Sequence, residues 1–138
     1  MRSHVLGLAA GLFVFAGCGS STSVYGGAGG GGGGGSITSC TSTSTKVCMI
    51  GLTFSPASLT IAAGGTVTWQ NGSSATHTVT SSSLSTATFN SGNPPAGVAP
   101  AGTFSHTFPT AGTYHYYCQY HGADGNPPTG MAGTIIVQ

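Results

Sequence analysis

Four side chains in the C-terminal two thirds of the chain could bind a metal ion together. Cys118 ends a β-like run and His121 follows at the third position, so a thiolate and an imidazole can face one point from a single loop. Met131 comes after nine intervening residues and could add a weak thioether donor, and His77 is the natural fourth donor. Thiolate, thioether and imidazole donors together favour a borderline or soft transition metal.

The elements that must position these donors are β-strands. From Lys46 onward, short runs rich in Val, Ile, Thr, Tyr and Phe alternate with Gly, Pro, Asn and Ser clusters at intervals of about ten residues. The pattern predicts an all-β sandwich or barrel of about seven or eight strands. The assignable strands are 47–54, 58–62, 66–70, 77–81, 102–108, 112–118 and 133–138. Gly64 and Gly65 predict a tight turn, and 82–101 a long loop.

The scarcity of charged side chains excludes one class of partner. Arg2, Lys46 and Asp124 are the only formally charged side chains of the 138 residues, and the net charge is +1. Nucleic-acid binding depends on clustered Lys and Arg, which this chain lacks, so we expect no nucleic-acid partner.

The N-terminal segment predicts export. Arg2 precedes an apolar run over 5–16, and small residues lead into Cys18, which resembles a bacterial lipoprotein signal. We therefore expect a signal peptide at 1–17, acylation of Cys18, a Gly/Ser-rich flexible tether at 18–39 and a folded domain at 40–138. The alternative is ordinary export with cleavage nearby. Either reading puts the protein in the periplasm or another extracytoplasmic space, and acylation would make it a membrane-tethered lipoprotein.

Cysteine pairing follows from that location. If Cys18 is acylated, three cysteines remain in an oxidising compartment, so one thiol stays unpaired. Cys40 and Cys48 lie eight residues apart across a Ser/Thr stretch and can close a short loop. We expect this pair to form a disulfide, which leaves Cys118 free.

Four stretches of the chain together resemble the cupredoxins, the plastocyanin-like and azurin-like blue copper proteins. They are 66–71 (TVTWQN), 77–79 (HTV), 112–121 (GTYHYYCQYH) and 130–135 (GMAGTI), and the similarity extends over about 47–138. The resemblance implies an all-β Greek-key sandwich or barrel of the cupredoxin type. It also implies one type 1 copper ion with His77, Cys118 and His121 as equatorial ligands and Met131 as the axial ligand. It also implies that Thr78 hydrogen-bonds across the site.

The resemblance further implies an electron carrier that cycles between Cu(II) and Cu(I), and we expect it to work as a monomer. The near absence of charge predicts weak, transient complexes with redox protein partners. Because all the predicted coordination positions are taken by protein side chains, we expect no enzymatic activity. One departure is the segment between His121 and Met131, which is longer than in many members and contains Pro127 and Pro128. This departure bears on the distance of Met131 from the metal, and through it on the colour and reduction potential of the site.

Three other classes compete with this interpretation: a metal-free binding domain, a copper storage or delivery protein, and a protein with a multinuclear copper site. An immunoglobulin-like binding domain would pair Cys48 with Cys118 around Trp69 and bind no metal. A copper storage or delivery protein would use the cupredoxin ligands but exchange the metal. A multicopper oxidase is disfavoured because the chain has no His-x-His motif, and a binuclear site because the segment from Cys118 to Met131 has no second cysteine.

Overall fold

The structure is a computed structural model that describes residues 39–138. Eight strands form two four-stranded sheets packed as a sandwich, which confirms the predicted all-β fold. The strands are β1 (Lys46–Ile50), β2 (Thr53–Ser55), β3 (Ser58–Ile61), β4 (Gly65–Asn71), β5 (Thr80–Ser81), β6 (Thr103–Phe108), β7 (Gly112–Ala123) and β8 (Thr129–Val137). No helix within residues 39–138 has the length and apolar character needed to cross a membrane.

Both sheets are mixed. The first has the strand order β2-β1-β4-β6, and the second has the order β3-β8-β7-β5. The β1–β4 and β3–β8 pairs are parallel and the other pairs are antiparallel. Parallel neighbours need crossover connections, so the chain passes repeatedly between the two sheets and ties them together.

Alternation along the strands builds the core. On β4, Val67 and Trp69 point inward, and on β7, Tyr114 and Tyr116 do the same. Trp69 is fully buried and lies at the centre of an aromatic cluster with Tyr116, whose ring centroid is 5.3 Å away, and with three phenylalanines: Phe89, Phe104 and Phe108. Each fully buried large side chain of this kind stabilises the fold by about 1.5–3 kcal/mol.

Four predicted strands differ from the structure. The predicted strands 112–118 and 133–138 are too short, because β7 continues to Ala123 and β8 begins at Thr129. The predicted strand 47–54 is wrong because the chain turns at Gly51, which has a φ of 57°, and β1 and β2 form a hairpin in which Met49 opposes Phe54. The predicted strand 77–81 is also wrong in extent. It is regular only at Thr80–Ser81, because the backbone of His77 pairs instead with Val98 from the long loop. The tight turn at Gly64 is confirmed, with Gly65 N donating to Ala62 O at 3.0 Å.

Gly133 should be required for packing between β7 and β8. It opposes Tyr116, and an ideal Cβ at Gly133 would lie 2.5 Å from Tyr116 Cζ. Because Tyr116 is fully buried and cannot move away, Gly133→Ala is expected to lower the free energy of unfolding by about 1–3 kcal/mol, measured by urea denaturation. The control is Gly133→Ala combined with Tyr116→Leu, which should cost less than the two single changes added. If the losses in unfolding free energy of the two single variants simply added in the double variant, the steric explanation would be contradicted.

Candidate metal centre

Three donor side chains meet at one end of the sandwich. Their donor atoms, one from each of His77, Cys118 and His121, all lie within 4.8 Å of one another. Cys118 Sγ is 3.7 Å from His77 Nδ1 and 3.5 Å from His121 Nδ1. His77 and Cys118 are fully buried, whereas His121 is partly exposed. One thiol and two imidazole nitrogens therefore surround a single point.

An irregularity in β7 brings Cys118 and His121 together. In a regular strand, residues three apart point to opposite faces of the sheet. The pairing of β7 with β8 shifts register between Tyr117 and Gly122 and then resumes with Gly122 opposite Gly130. The extra backbone in this bulge turns the strand locally. As a result Cys118 stays on the buried face while His121 reaches the same point.

The His77 segment is held by backbone hydrogen bonds. His77 N donates to Val98 O at 3.2 Å, and Val98 N donates to His77 O at 2.7 Å. Gly97 allows this approach, because it has a φ of 147° and an added Cβ would lie 2.5 Å from His77 O. The long loop thus positions a donor side chain that belongs to no regular strand.

Thr78 connects the His77 segment to β7. Its backbone N–H donates to Cys118 Sγ at 3.3 Å, and its hydroxyl oxygen accepts from Gln119 N at 2.7 Å. The backbone N–H of Thr78 is therefore directed at the sulfur atom that would bind the metal. These two contacts hold the histidine and the cysteine at a fixed spacing.

Met131 lies on β8, beside the bulge of β7, and is 1% exposed. Its backbone carbonyl is close to the ligand segment, since an ideal Cβ at Gly122 would lie 2.9 Å from Met131 O. The structure therefore places Met131 in the buried layer on the strand next to the three donors.

The segment between His121 and Met131 is not an open loop. β7 continues to Ala123 and β8 begins at Thr129, so these residues form a hairpin. Its tip is bound to the chain after β5: Ser83 N donates to Asp124 Oδ1 at 3.1 Å, and Ser82 Oγ donates to Gly125 O at 2.5 Å. The hydrogen bonds from Ser83 lower the pKa of Asp124 to about 2.

The disulfide between Cys40 and Cys48 is formed, with a Cα–Cα distance of 5.7 Å. Cys118 is the free cysteine among residues 39–138. The Cys48–Cys118 pairing that an immunoglobulin-like domain requires is therefore absent from this fold, and the thiol remains available as a donor.

The sequence pattern did not indicate Ser73. Its hydroxyl lies 2.7 Å from His77 Nε2, on the side of the ring away from Cys118. The only sequence signal was the turn-like stretch Asn-Gly-Ser-Ser before His77. Two other histidines have contacts away from the three donors: His106 stacks on Phe89 with a centroid distance of 4.8 Å, and His115 Nδ1 is 3.0 Å from Thr134 Oγ1.

The electrostatics of the centre favour neutral imidazole. Burial lowers the pKa of His77, and the neighbouring His121 lowers it further. A neutral imidazole has a free lone pair, which metal coordination requires. A buried thiol stabilised by an N–H donor, two imidazoles and a nearby methionine form the donor set of a copper site of the blue type, so the residues fit that metal.

The fold and the donor set together define a class, namely β-sandwich proteins that hold a metal ion at one end. The family model of copper-binding proteins of the plastocyanin/azurin family matches residues 41–138. This chain belongs to that family.

Known relatives agree with this assignment. The chain is 36% identical over 99 residues to a plastocyanin from Scenedesmus fuscus, covering 63% of this chain and 88% of that protein. It is 34% identical over 99 residues to a chloroplastic plastocyanin from Tetradesmus obliquus, covering 63% of this chain and 59% of that longer protein.

Solved structures show the same fold. A reduced Cu(I) form of an amicyanin variant superposes with a TM-score of 0.56 at 25% identity, covering 72% of this chain and 86% of amicyanin. A purple cupredoxin from Nitrosopumilus maritimus superposes with a TM-score of 0.52 at 27% identity, covering 68% of this chain and 99% of that one.

Asp124 should give the domain an acid-dependent stability. It is the only Asp or Glu in the chain, and its pKa falls from 3.8 to about 2 in the folded state. A lowered folded-state pKa stabilises the fold above the unfolded value, and this contribution is lost as the pH falls from about 4 to about 2. The variant Asp124→Asn should therefore be less stable than the wild type at pH 7, and this difference in stability should shrink as the pH falls from about 4 to about 2, measured by thermal unfolding.

The comparison is internally controlled. The two proteins differ only at position 124, so the contributions of all other groups cancel in the difference between them. A stability difference that stays constant from pH 7 to pH 2 would contradict the assigned role of the carboxylate.

Proposed function

We propose that this protein is a one-electron carrier that uses a single type 1 copper ion bound by His77, Cys118, His121 and Met131. The observation that carries the proposal is the convergence of two imidazole Nδ1 atoms on the free, buried thiol of Cys118. Family membership supports the choice of copper. When bound, the ion supplies the Cu(II)/Cu(I) couple.

The chain contributes a rigid donor set. His77 is fixed by its bridge to Val98, Cys118 by the Thr78 N–H, and the hairpin after His121 by Asp124. Donors that cannot move give a geometry intermediate between the preferences of the two oxidation states, which keeps reorganisation during electron transfer small. Met131 is assigned as the weak axial donor because it is buried beside the ligand bulge.

Electron transfer is favoured over catalysis. Three close protein donors with a fourth beside them leave no open position for a substrate, which a catalytic metal site requires. His121 is the partly exposed member of the set, so the electron would pass through its ring edge to a partner. Copper storage or delivery is the alternative, and the burial of His77 and Cys118 favours retention of the metal.

We further propose that the protein works outside the cytoplasm as a monomeric lipoprotein that meets redox partners transiently. The signal peptide at 1–17, the acylated Cys18 and the tether at 18–39 are predicted from sequence, and all of them except residue 39 lie outside the described residues. The disulfide between Cys40 and Cys48 supports an oxidising compartment. The near absence of charge supports docking through uncharged surface.

The first test is a visible and EPR spectrum of the purified protein loaded with Cu(II), compared with the variant Cys118→Ser. We expect an intense thiolate-to-copper band in the wild type and its complete loss in the variant, because the band requires a copper–sulfur bond. Reversible reduction in cyclic voltammetry should accompany the band. A wild-type protein that binds Cu(II) without the band would contradict the type 1 assignment.

The axial role of Met131 has a separate test. The variant Met131→Leu should keep its copper and show a higher reduction potential, because loss of a thioether donor disfavours Cu(II) more than Cu(I). The matched control is Met49→Leu, a change at an equally buried methionine on β1 in the opposite sheet. An unchanged potential and spectrum in Met131→Leu would show that Met131 does not coordinate.

A further inference from the structure

We propose that Asn71 and Ser73 form a hydrogen-bonded relay that fixes the tautomer of His77, with the proton on Nε2 and the lone pair of Nδ1 free for the metal. Both are positioning residues, since neither touches the donor atoms. The proposal deepens the proposed function and depends on it only for the identity of the metal. It is argued from the donors and acceptors of three buried side chains.

The first step is the orientation of the Asn71 amide. Asn71 is fully buried at the end of β4. One end of its amide lies 2.7 Å from Ala75 O and 2.8 Å from Val98 O. Carbonyl oxygens only accept hydrogen bonds, so this end of the amide must be the NH₂ group with its two donors. The Oδ1 atom consequently faces the other way.

The second step is the direction of the Ser73 hydroxyl. Asn71 Oδ1 accepts from Ser73 N at 2.9 Å and lies 2.8 Å from Ser73 Oγ. Two oxygen atoms approach this closely only when a hydrogen lies between them. Since Oδ1 carries no hydrogen, the hydroxyl of Ser73 must donate to it. Ala75 O, 3.2 Å from Ser73 Oγ, is a second acceptor competing for the same proton.

The third step is the imidazole. Ser73 Oγ lies 2.7 Å from His77 Nε2. The single hydroxyl proton is already donated to an oxygen, so Ser73 can only accept, and His77 Nε2 must carry the proton that it donates. In a neutral imidazole the other nitrogen is then unprotonated. That nitrogen is Nδ1, the atom 3.7 Å from Cys118 Sγ.

The relay thus starts from two backbone carbonyls that cannot change their role. They orient the amide, the amide orients the hydroxyl, and the hydroxyl selects the tautomer. All three side chains are at least nine-tenths buried, so water does not compete with these bonds. Outer hydrogen bonds of this kind orient metal-binding histidines and are typically worth about 10–100-fold in metal affinity.

The decisive experiment is the tautomer of His77 in the metal-free wild-type protein, read from two-bond ¹H–¹⁵N NMR correlations at a pH where the ring is neutral. The expected result is one tautomer with the proton on Nε2. A proton on Nδ1, or a mixture of both forms, would overturn the proposal. Because no metal is present, this result is independent of whether the protein carries copper.

Variants then test the role of the hydroxyl. Ser73→Ala should populate both tautomers of His77 and weaken Cu(II) affinity by about 10–100-fold, measured by competition with a chelator, whereas Ser73→Thr, which keeps the hydroxyl, should restore both properties. The matched control is Ser74→Ala, at an exposed neighbour, which should change neither. An unaltered tautomer and affinity in Ser73→Ala would overturn the relay.

The two proposals fail in different ways. A wild-type protein with the Nε2 tautomer but no thiolate-to-copper band would refute the proposed function and leave the relay standing. A wild-type protein with the band but a Ser73→Ala variant of unchanged affinity would refute the relay alone.

Discussion

The bulge in β7 is the constraint on which the metal centre depends. A strand displays alternate residues on opposite faces, and β7 uses this alternation to bury Tyr114, Tyr116 and Cys118 in one line. Continued without interruption, the same alternation would direct His121 away from Cys118. The register shift between Tyr117 and Gly122 breaks the pattern within the few residues where the change is needed. Before the bulge, β7 therefore belongs to the core. After the bulge it forms part of the hairpin that joins His121 to Met131, which we call the ligand hairpin.

The bulge places polar groups in a buried region, and the surrounding chain must satisfy them. A buried polar group without a partner costs about 1–3 kcal/mol. Here the sulfur of Cys118 accepts a hydrogen bond from the backbone N–H of Thr78, and His77 Nε2 is hydrogen-bonded to the hydroxyl of Ser73. Each of these partners is itself held, Thr78 by Gln119 N and Ser73 by Asn71. The donor side chains are therefore held by a network of hydrogen bonds that the protein itself supplies.

The local sequence was sufficient to predict the features that depend on residues close together in the chain. Cys118 and His121 were identified because they are three residues apart after a strand-like run, and the Cys40–Cys48 pair because eight residues close a short loop. Features that depend on distant partners were not predictable. The backbone of His77 pairs with Val98, which lies 21 positions further along the chain and in a stretch that resembles only a loop.

The composition of the ligand hairpin led to a wrong prediction of irregular chain, because here too the structure depends on a partner strand. Glycine and proline at 122–130 indicate irregular chain, yet Gly122 and Gly130 oppose each other in regular pairing. An added Cβ at Gly130 would lie 2.6 Å from His121 O, so glycine here permits the close approach of two strands. Ser73 was overlooked in a similar way, since a serine in a turn most often bonds only its own backbone.

The scarcity of charge gives the hydrogen bonds of this protein their importance. With three formally charged side chains in 138 residues, ion pairs cannot hold the loops to the sheets. The one carboxylate, Asp124, is used where the ligand hairpin meets the chain after β5, and there it accepts backbone N–H groups from Ser83 and Gly125. Neutral hydrogen bonds and apolar packing respond little to salt, whereas surface ion pairs weaken as salt rises. A donor set held mainly by neutral hydrogen bonds and apolar packing keeps its spacing across a wide range of ionic strength, which suits a carrier whose reorganisation energy depends on fixed donors.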